Sequence, residues 1–268
     1  MIEHHRVEPG SKFRVRQVDA GATPGWSGGK RKTVKLLEDL CGRLREQQNR
    51  LWAEQDRKVL VVLQGMDTSG KDGTISHVFE GVNPLGVKVA AWKAPSHEEL
   101  AHDFLWRIHA RVPGAGELAI FNRSPYEDVL TARVRQLVPA KVWRARYAQI
   151  NDFERLLAET GTTTLKFFLH IDRDEQRKRL QARLEDPEKR WKFSPEDLED
   201  RKLWDAYMDA YDEAIRRTST DHTPWFVVPA NKKWYRNLVV ASVLVQTLEG
   251  MKLRLREPDV DLRKIKIE

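Results

Sequence analysis

Apolar residues along the chain alternate between two kinds of pattern. Short continuous runs occur at 59–63, 87–92, 118–121, 165–171 and 225–228 and read as buried strands. Between and around them, apolar positions recur at helical spacing over 32–55, 96–111, 139–159, 172–183, 194–217 and 233–253. Strands that alternate with helices are joined by right-handed crossovers, so the pattern predicts an α/β fold with a parallel sheet covered on both faces. In such sheets ligands bind beyond the carboxyl ends of the strands, so the segments after residues 63, 121 and 171 should converge. Residues 1–32 are polar, with a Gly-rich piece at 21–29, and read as an irregular arm over a single domain at 33–257. Residues 258–268 read as a charged tail.

The first run leads straight into chemistry. Val59 to Gln64 is followed by Gly65-Met66-Asp67-Thr68-Ser69-Gly70-Lys71-Asp72-Gly73-Thr74, a glycine-bounded loop ending in Gly-Lys. Glycines at such a bend let consecutive backbone N–H groups point inward at phosphate, and a helix beginning near Lys71 adds its positive end. Gly65, Thr68, Ser69, Gly70, Lys71, Asp72 and Gly73 are therefore the candidate phosphate cradle. Asp72 stands where a Ser or Thr hydroxyl usually holds magnesium, and Asp67 adds a second carboxylate. Two anions beside a phosphate repel it unless a divalent cation sits between them, so the loop predicts Mg²⁺ as well as phosphate.

Composition narrows the setting. With 268 residues and 40% apolar content the chain can bury a substantial core. A formal charge of +7 favours an anionic partner without naming it, since 32% charged residues mostly solvate the surface. The single cysteine, Cys41, excludes an internal disulfide framework and a Cys-based zinc site, and fits a reducing, cytoplasmic setting. No secretory signal and no apolar stretch of membrane-spanning length is visible, so no membrane association is expected. The histidines show no spacing that closes a metal site, and His170, inside an apolar strand, reads as a packed residue. Trp52, Trp106 and Trp143 lie in helix-period patterns and read as core.

Two polar clusters follow predicted strands. Asn122-Arg123-Ser124-Pro125-Tyr126-Glu127-Asp128 lies where phosphoryl-transfer enzymes with such loops place a magnesium-holding acid. Asn122, Glu127 and Asp128 are the candidate metal ligands beside Asp67, and Arg123 can grip phosphate with a bidentate fork. As turn formers and first-turn helix acids, the same residues also have an ordinary structural use. The segment after 171 is rich in arginine: Arg173 and Arg177, like Arg179 and Arg183, are four apart and share a helix side. Such a helix can close over a polyanion, or simply present a solvated face. Lys93, Asp103, Arg107 and Arg133 are weaker candidates for positioning an acceptor.

Several ordered motifs together resemble the polyphosphate kinase 2 family. They are the loop Gly65 to Gly73, Phe121 to Val129, His170 to Arg179, Pro187 to Phe193 and Pro224 to Asn231, and the resemblance extends from about Arg14 to Gly250. It implies a thymidylate-kinase-like P-loop fold, a three-layer sandwich with a five-stranded parallel sheet and a helical lid at about 172–200. It also implies transfer of a phosphoryl group from inorganic polyphosphate to AMP or ADP, forming ADP and ATP, with magnesium. Many members carry Asp-Arg-Ser where this chain has Asn122-Arg123-Ser124, a variant similar to the single-domain class acting on both AMP and ADP. By this resemblance Asp67, Lys71 and Arg123 are catalytic, Glu127 or Asp128 serves the metal site, and Arg177, Arg179 and Arg183 contact phosphates from the lid. Family members commonly form dimers or tetramers. Two other readings share the loop: an ATP-dependent kinase of a small metabolite, and a basic P-loop protein holding nucleic acid, for which no recognised motif is visible.

Overall fold

The computed structural model describes residues 1–256, 260, 262–265 and 267. In chain order its elements are β1 (Arg6–Val7), α1 (Gly29–Glu54), β2 (Lys58–Gln64), α2 (Lys71–Val78), β3 (Val87–Ala91), α3 (His97–Leu100), α4 (Trp106–His109), β4 (Leu118–Asn122) and α5 (Thr131–Val134). There follow α6 (Ala140–Glu159), β5 (Thr162–His170), α7 (Arg173–Glu185), α8 (Pro195–Lys202), α9 (Trp204–Thr218), β6 (Trp225–Pro229) and α10 (Lys233–Gly250).

The strands form one sheet in the order β1-β6-β5-β2-β4-β3. All neighbours run parallel except β1, which pairs antiparallel with β6 through Arg6 opposite Phe226. The sheet is thus six-stranded and mixed, where five parallel strands were expected. Two residues are too few to show a period, so β1 leaves no signal in the sequence. Helices cover the sheet in two groups, α1, α2 and α10 in one and α5, α6 and α9 in the other. Alternation along β5 shows the two faces. Phe168 meets Tyr211 of α9 with ring centroids 4.3 Å apart, while Leu165 shares a cavity lining with Val243 of α10.

Three further expectations are corrected. The stretch 87–92 is an exposed edge strand rather than a buried one, with Val89 56% exposed. The helix expected over 96–111 is two single turns, because Ser96 and Glu99 close a capping box at the first and Asp103 Oδ1 accepts from the Leu105 N–H to start a new turn. Trp106 consequently lies on the surface, stacked on His102, whereas Trp143 is buried. Likewise 194–217 divides at Leu203 into α8 and α9. The residues before α1 are held rather than loose: Val15 N–H donates to Asp212 Oδ1 at 2.6 Å, and His5 Nδ1 to the Val227 carbonyl at 3.0 Å. Of the tail expected at 258–268, residues 258, 259, 261, 266 and 268 lie outside the described ones.

Candidate active site

β2 occupies the middle of the sheet, between β5 and β4, and its buried Val and Leu residues fix where the loop after Gln64 emerges. The loop needs its glycines. Gly65 has φ +151°, and a Cβ there would lie 2.7 Å from the Leu169 carbonyl oxygen. Gly70 has φ +104°, and a Cβ there would lie 1.7 Å from Arg236 Nη1. Thr68 is also left-handed, at φ +66°, and the turn is closed by Ser69 N–H donating to the Met66 carbonyl. Lys71 opens α2, is buried, and donates from Nζ to the Gly65 carbonyl at 2.7 Å. Burial, and after it the nearby Arg123, lowers the Lys71 pKa.

The next strand end supplies the opposing group. Arg123 continues the ladder past β4, its N–H donating to Leu63 O at 3.1 Å, and its φ of +69° turns the side chain across the loop. Its Nη2 donates to Asp67 Oδ1 at 2.9 Å, and its Nη1 lies 3.6 Å from Glu127 Oε2. These carboxylates, Glu127 foremost, raise the Arg123 pKa despite burial. Glu127 is itself oriented, by Thr131 Oγ1 at 2.8 Å and by the Gln64 amide, which reaches Glu127 Oε1 at 3.1 Å when turned to accept from Ser124. Asn122 donates to Asp72 Oδ1 at 2.8 Å, and Lys192 stands 3.6 Å from the other oxygen. Burial raises the Asp72 pKa, but Asn122 and Lys192 outweigh it and the net shift is downward.

From β5, α7 meets the same loop from behind. Gln176 donates to the Asp67 carbonyl at 3.3 Å. Arg179 bonds Glu175 through Nε, Thr68 O and Ser69 O through Nη1, and Ala230 O and Asn231 O through Nη2. All five of its N–H groups therefore have protein acceptors, two of which, Thr68 O and Ser69 O, are loop carbonyls.

The structure thus brings together Gly65, Thr68, Ser69, Gly70, Lys71, Asp72 and Gly73 with Asp67, Asn122, Arg123 and Glu127. It does not bring Asp128 to them. Asp128 turns to Arg146 at 3.6 Å and Arg107 at 4.0 Å, and burial raises its pKa to about 6. Asn122 is committed to Asp72 rather than to Asp67. Arg177 is 70% exposed and pairs with Asp174, while Arg183 is tied to Asp197 at 3.1 Å and to the Lys192 carbonyl. Of the arginines expected to contact phosphates, Arg177 thus faces solvent in this arrangement, while Arg179 is occupied by protein acceptors. Arg236, Asp197 and Gln64 escaped the sequence reading. A lone Arg-Asn pair inside the apolar run of α10 is the signal that marked Arg236.

A match of residues 28–256 to the family model described as "Polyphosphate kinase 2 (PPK2)" settles the family. The chain belongs to the polyphosphate kinase 2 family. It is 55% identical to the "AMP/ADP-polyphosphate phosphotransferase" of Meiothermus ruber, over 100% of both chains. It is 42% identical to the "ADP-polyphosphate phosphotransferase" of Rhodopseudomonas palustris, over 97% of this chain and 93% of that one. Among solved structures, polyphosphate kinase 2 from Arthrobacter aurescens superposes with TM-score 0.94 at 48% identity, covering 97% of this chain and 93% of that one. A polyphosphate kinase 2 chemistry calls for a metal ion, and the donor set can be tested for it. Among the described residues no three His, Cys, Asp or Glu side chains converge. Magnesium usually takes only one or two carboxylates and fills its remaining positions with water and substrate phosphates. Asp67 and Glu127, facing each other across Arg123, are such a pair, so the residues fit.

Proposed function

We propose that the protein transfers the terminal phosphoryl group of inorganic polyphosphate to AMP and ADP, in a reversible reaction that requires Mg²⁺. The observation that carries this reading is the guanidinium of Arg123 set between Asp67 and Glu127, in front of a loop whose lysine is buried. The names borne by the relatives at 55% and 42% identity support the donor and acceptor classes.

Phosphoryl transfer asks little covalent work of a protein; in-line placement and neutralisation of the moving charge suffice. The loop amides and Lys71 hold the donor's terminal phosphates. Arg123 leaves Asp67 and Glu127 to grip the transferring oxygens with its planar fork, and those two carboxylates are then free to hold the metal. Held by Asp67 and Glu127, a Mg²⁺ ion would supply charge neutralisation for the reacting phosphates. No side chain acts as nucleophile, because the acceptor phosphate itself attacks. Lys192, 3.6 Å from Asp72, and Arg183, which bonds the Lys192 carbonyl, supply the cations of a lid over the donor. The excess of basic residues draws a long polyanion toward the site. We further assign a homo-oligomer, dimer or tetramer, in the cytoplasm; the lone Cys41 fits a reducing compartment.

Incubating the protein with polyphosphate, Mg²⁺ and either AMP or ADP, followed by chromatography of the nucleotides, tests the reading. ADP and ATP are the expected products. Turnover of ATP with a small metabolite but none with polyphosphate points instead to an ATP-dependent kinase.

A further inference from the structure

Arg236 is 2% exposed, and among the described residues its hydrogen-bond acceptors are both neutral: the Ser69 carbonyl at 3.3 Å from Nη1, and Asn237 Oδ1 at 3.1 Å from Nε and 2.9 Å from Nη2. A buried cation is ordinarily paired. Arg179 has Glu175 at 2.7 Å, Arg123 has Asp67 and Lys166 has Glu154, whereas the buried Lys71 of the loop, like Arg236, meets only neutral acceptors among the described residues, the Gly65 and Met66 carbonyls. Arg236 has instead another cation for company, and burial followed by Arg179 pushes its pKa down. Guanidinium remains charged under these conditions. Two of its five N–H groups have no acceptor among the described residues, because Nη1 and Nη2 each make one bond.

Its position explains why such a charge is kept. The guanidinium presses against the bend of the loop, where a Cβ on Gly70 would lie 1.7 Å from Nη1 and one on Gly73 would lie 3.4 Å from Nη2. It therefore sits against the bend at the start of α2, where the first amides of a helix have no intrahelical acceptor, and it holds the Ser69 carbonyl from Nη1. A charge in this place has no partner until an anion occupies the loop.

We propose that Arg236 is a positioning residue for the donor: a buried, uncompensated cation behind Gly70 whose counter-ion is the condensed phosphate bound in the loop. The inference rests on the phosphate-cradle role given to residues 65–73 above, and deepens it by naming a second layer of charge that acts through the glycine backbone. A purely structural arginine and this one differ in what its removal does. Replacing a buried charge that has no partner with an apolar side chain of similar length removes a desolvation burden, so the ligand-free protein should not weaken. Loss of a partner for the anion should weaken binding on the order of tenfold or more.

The experiment uses the full chain, with tripolyphosphate as the probe and no acceptor present, so that binding is read without turnover. Tripolyphosphate affinity by calorimetry and melting temperature with and without the probe are measured for the wild type, Arg236→Met and Arg236→Lys. The expected result is that Arg236→Met melts at or above the wild-type temperature without probe, binds it about tenfold or more weakly, and gains less on its addition. Arg236→Lys, which keeps the charge, should recover most of the affinity. Wild-type affinity in a folded Arg236→Met variant overturns the proposal while leaving the cradle assignment standing. So does a probe-free collapse of both variants, which marks a structural clamp. Failure of the wild type itself to bind tripolyphosphate overturns the cradle assignment and this proposal together.

Discussion

Arg123 Nη2 donates to Asp67 Oδ1 at 2.9 Å, and this one contact ties the strand end of β4 to the phosphate loop after β2. The two acids and the arginine hold one another in place. Under the proposed function the bridge opens when a phosphate enters, and its members take charge-assisted partners in the bound state.

Arg123→Ala should lower turnover on the order of 10²-fold, comparable with the loss of one donor to a developing oxyanion. Arg123→Lys should restore little of it, since an ammonium cannot reproduce a planar two-pronged grip. Lys71→Ala should cost a similar factor. Initial rates of ATP formation at saturating polyphosphate and ADP, with circular dichroism to verify folding, check all three. Near-wild-type rates in folded variants would remove these residues from the chemistry.

Asp67 and Asp128 should separate cleanly in a magnesium titration. Asp67→Asn removes one of the two carboxylates that face each other across Arg123, so half-maximal activity should move to higher Mg²⁺. Asp128→Asn should leave that midpoint where it is, because Asp128 is turned to Arg107 and Arg146. A shift for Asp128→Asn with none for Asp67→Asn would reverse the assignment.

How much of this was readable in the residues follows from the range of each signal. The strand-loop-helix at Val59 to Val78 was legible because its run of apolar residues, its glycines and its lysine are contiguous. Arg123 was legible because it follows a strand directly. The partners that decide what each charge does were not. Whether Arg179 meets a phosphate or five protein oxygens depends on where Thr68, Ala230 and Asn231 lie, which is set by packing between α7 and two strand ends. Asp128 follows Glu127 by one position, yet the turn at Pro125–Asp128 sends the two side chains to different partners. The breaks at Asp103 and Leu203 are local backbone events inside patterns that keep their apolar rhythm, so periodicity passes over them.

The Lys166–Glu154 pair lies in the core between β5 and α6, with side chains 0% and 6% exposed and Nζ 2.5 Å from Oε2. Lys166 also donates to the Thr218 carbonyl at 2.6 Å and lies 3.0 Å from the Tyr126 hydroxyl, which itself donates to Glu154 at 2.9 Å. Burial lowers the Lys166 pKa while Glu154 raises it, with burial prevailing. Breaking the pair from one side strands the other charge, so Glu154→Leu and Lys166→Met should each cost about 3–5 kcal/mol. The double variant should cost less than their sum, because no buried charge is left alone. Urea unfolding of the four proteins measures the coupling; strict additivity would show that the two side chains do not stabilise each other.

His170, at the end of β5, sets a pH dependence of the same sign as a paired acid, with stability lost as pH falls, but in a higher pH window. Its Nε2 donates to the Val18 carbonyl at 3.2 Å, while Nδ1 is buried with no hydrogen-bond partner among the described residues. A proton on Nδ1 would thus be placed in the interior without an acceptor, and burial lowers the pKa of the group to about 4. In the unfolded chain the imidazole titrates near 6.5. Between those values the unfolded state binds a proton that the folded state refuses, so stability is unaffected above about pH 7 and falls as pH drops through 6.5 toward 4. The contribution should reach about 2–3 kcal/mol by the acid end of that window. His170→Gln, which keeps a donor toward Val18 and carries no titratable group, should lack this loss. Unfolding free energies of both proteins at pH 7.5, 6 and 4.5 give the answer as a difference, in which other titrating groups cancel. A difference that stays constant across the three conditions would mean that His170 titrates alike in both states, and that its buried Nδ1 finds a partner after all.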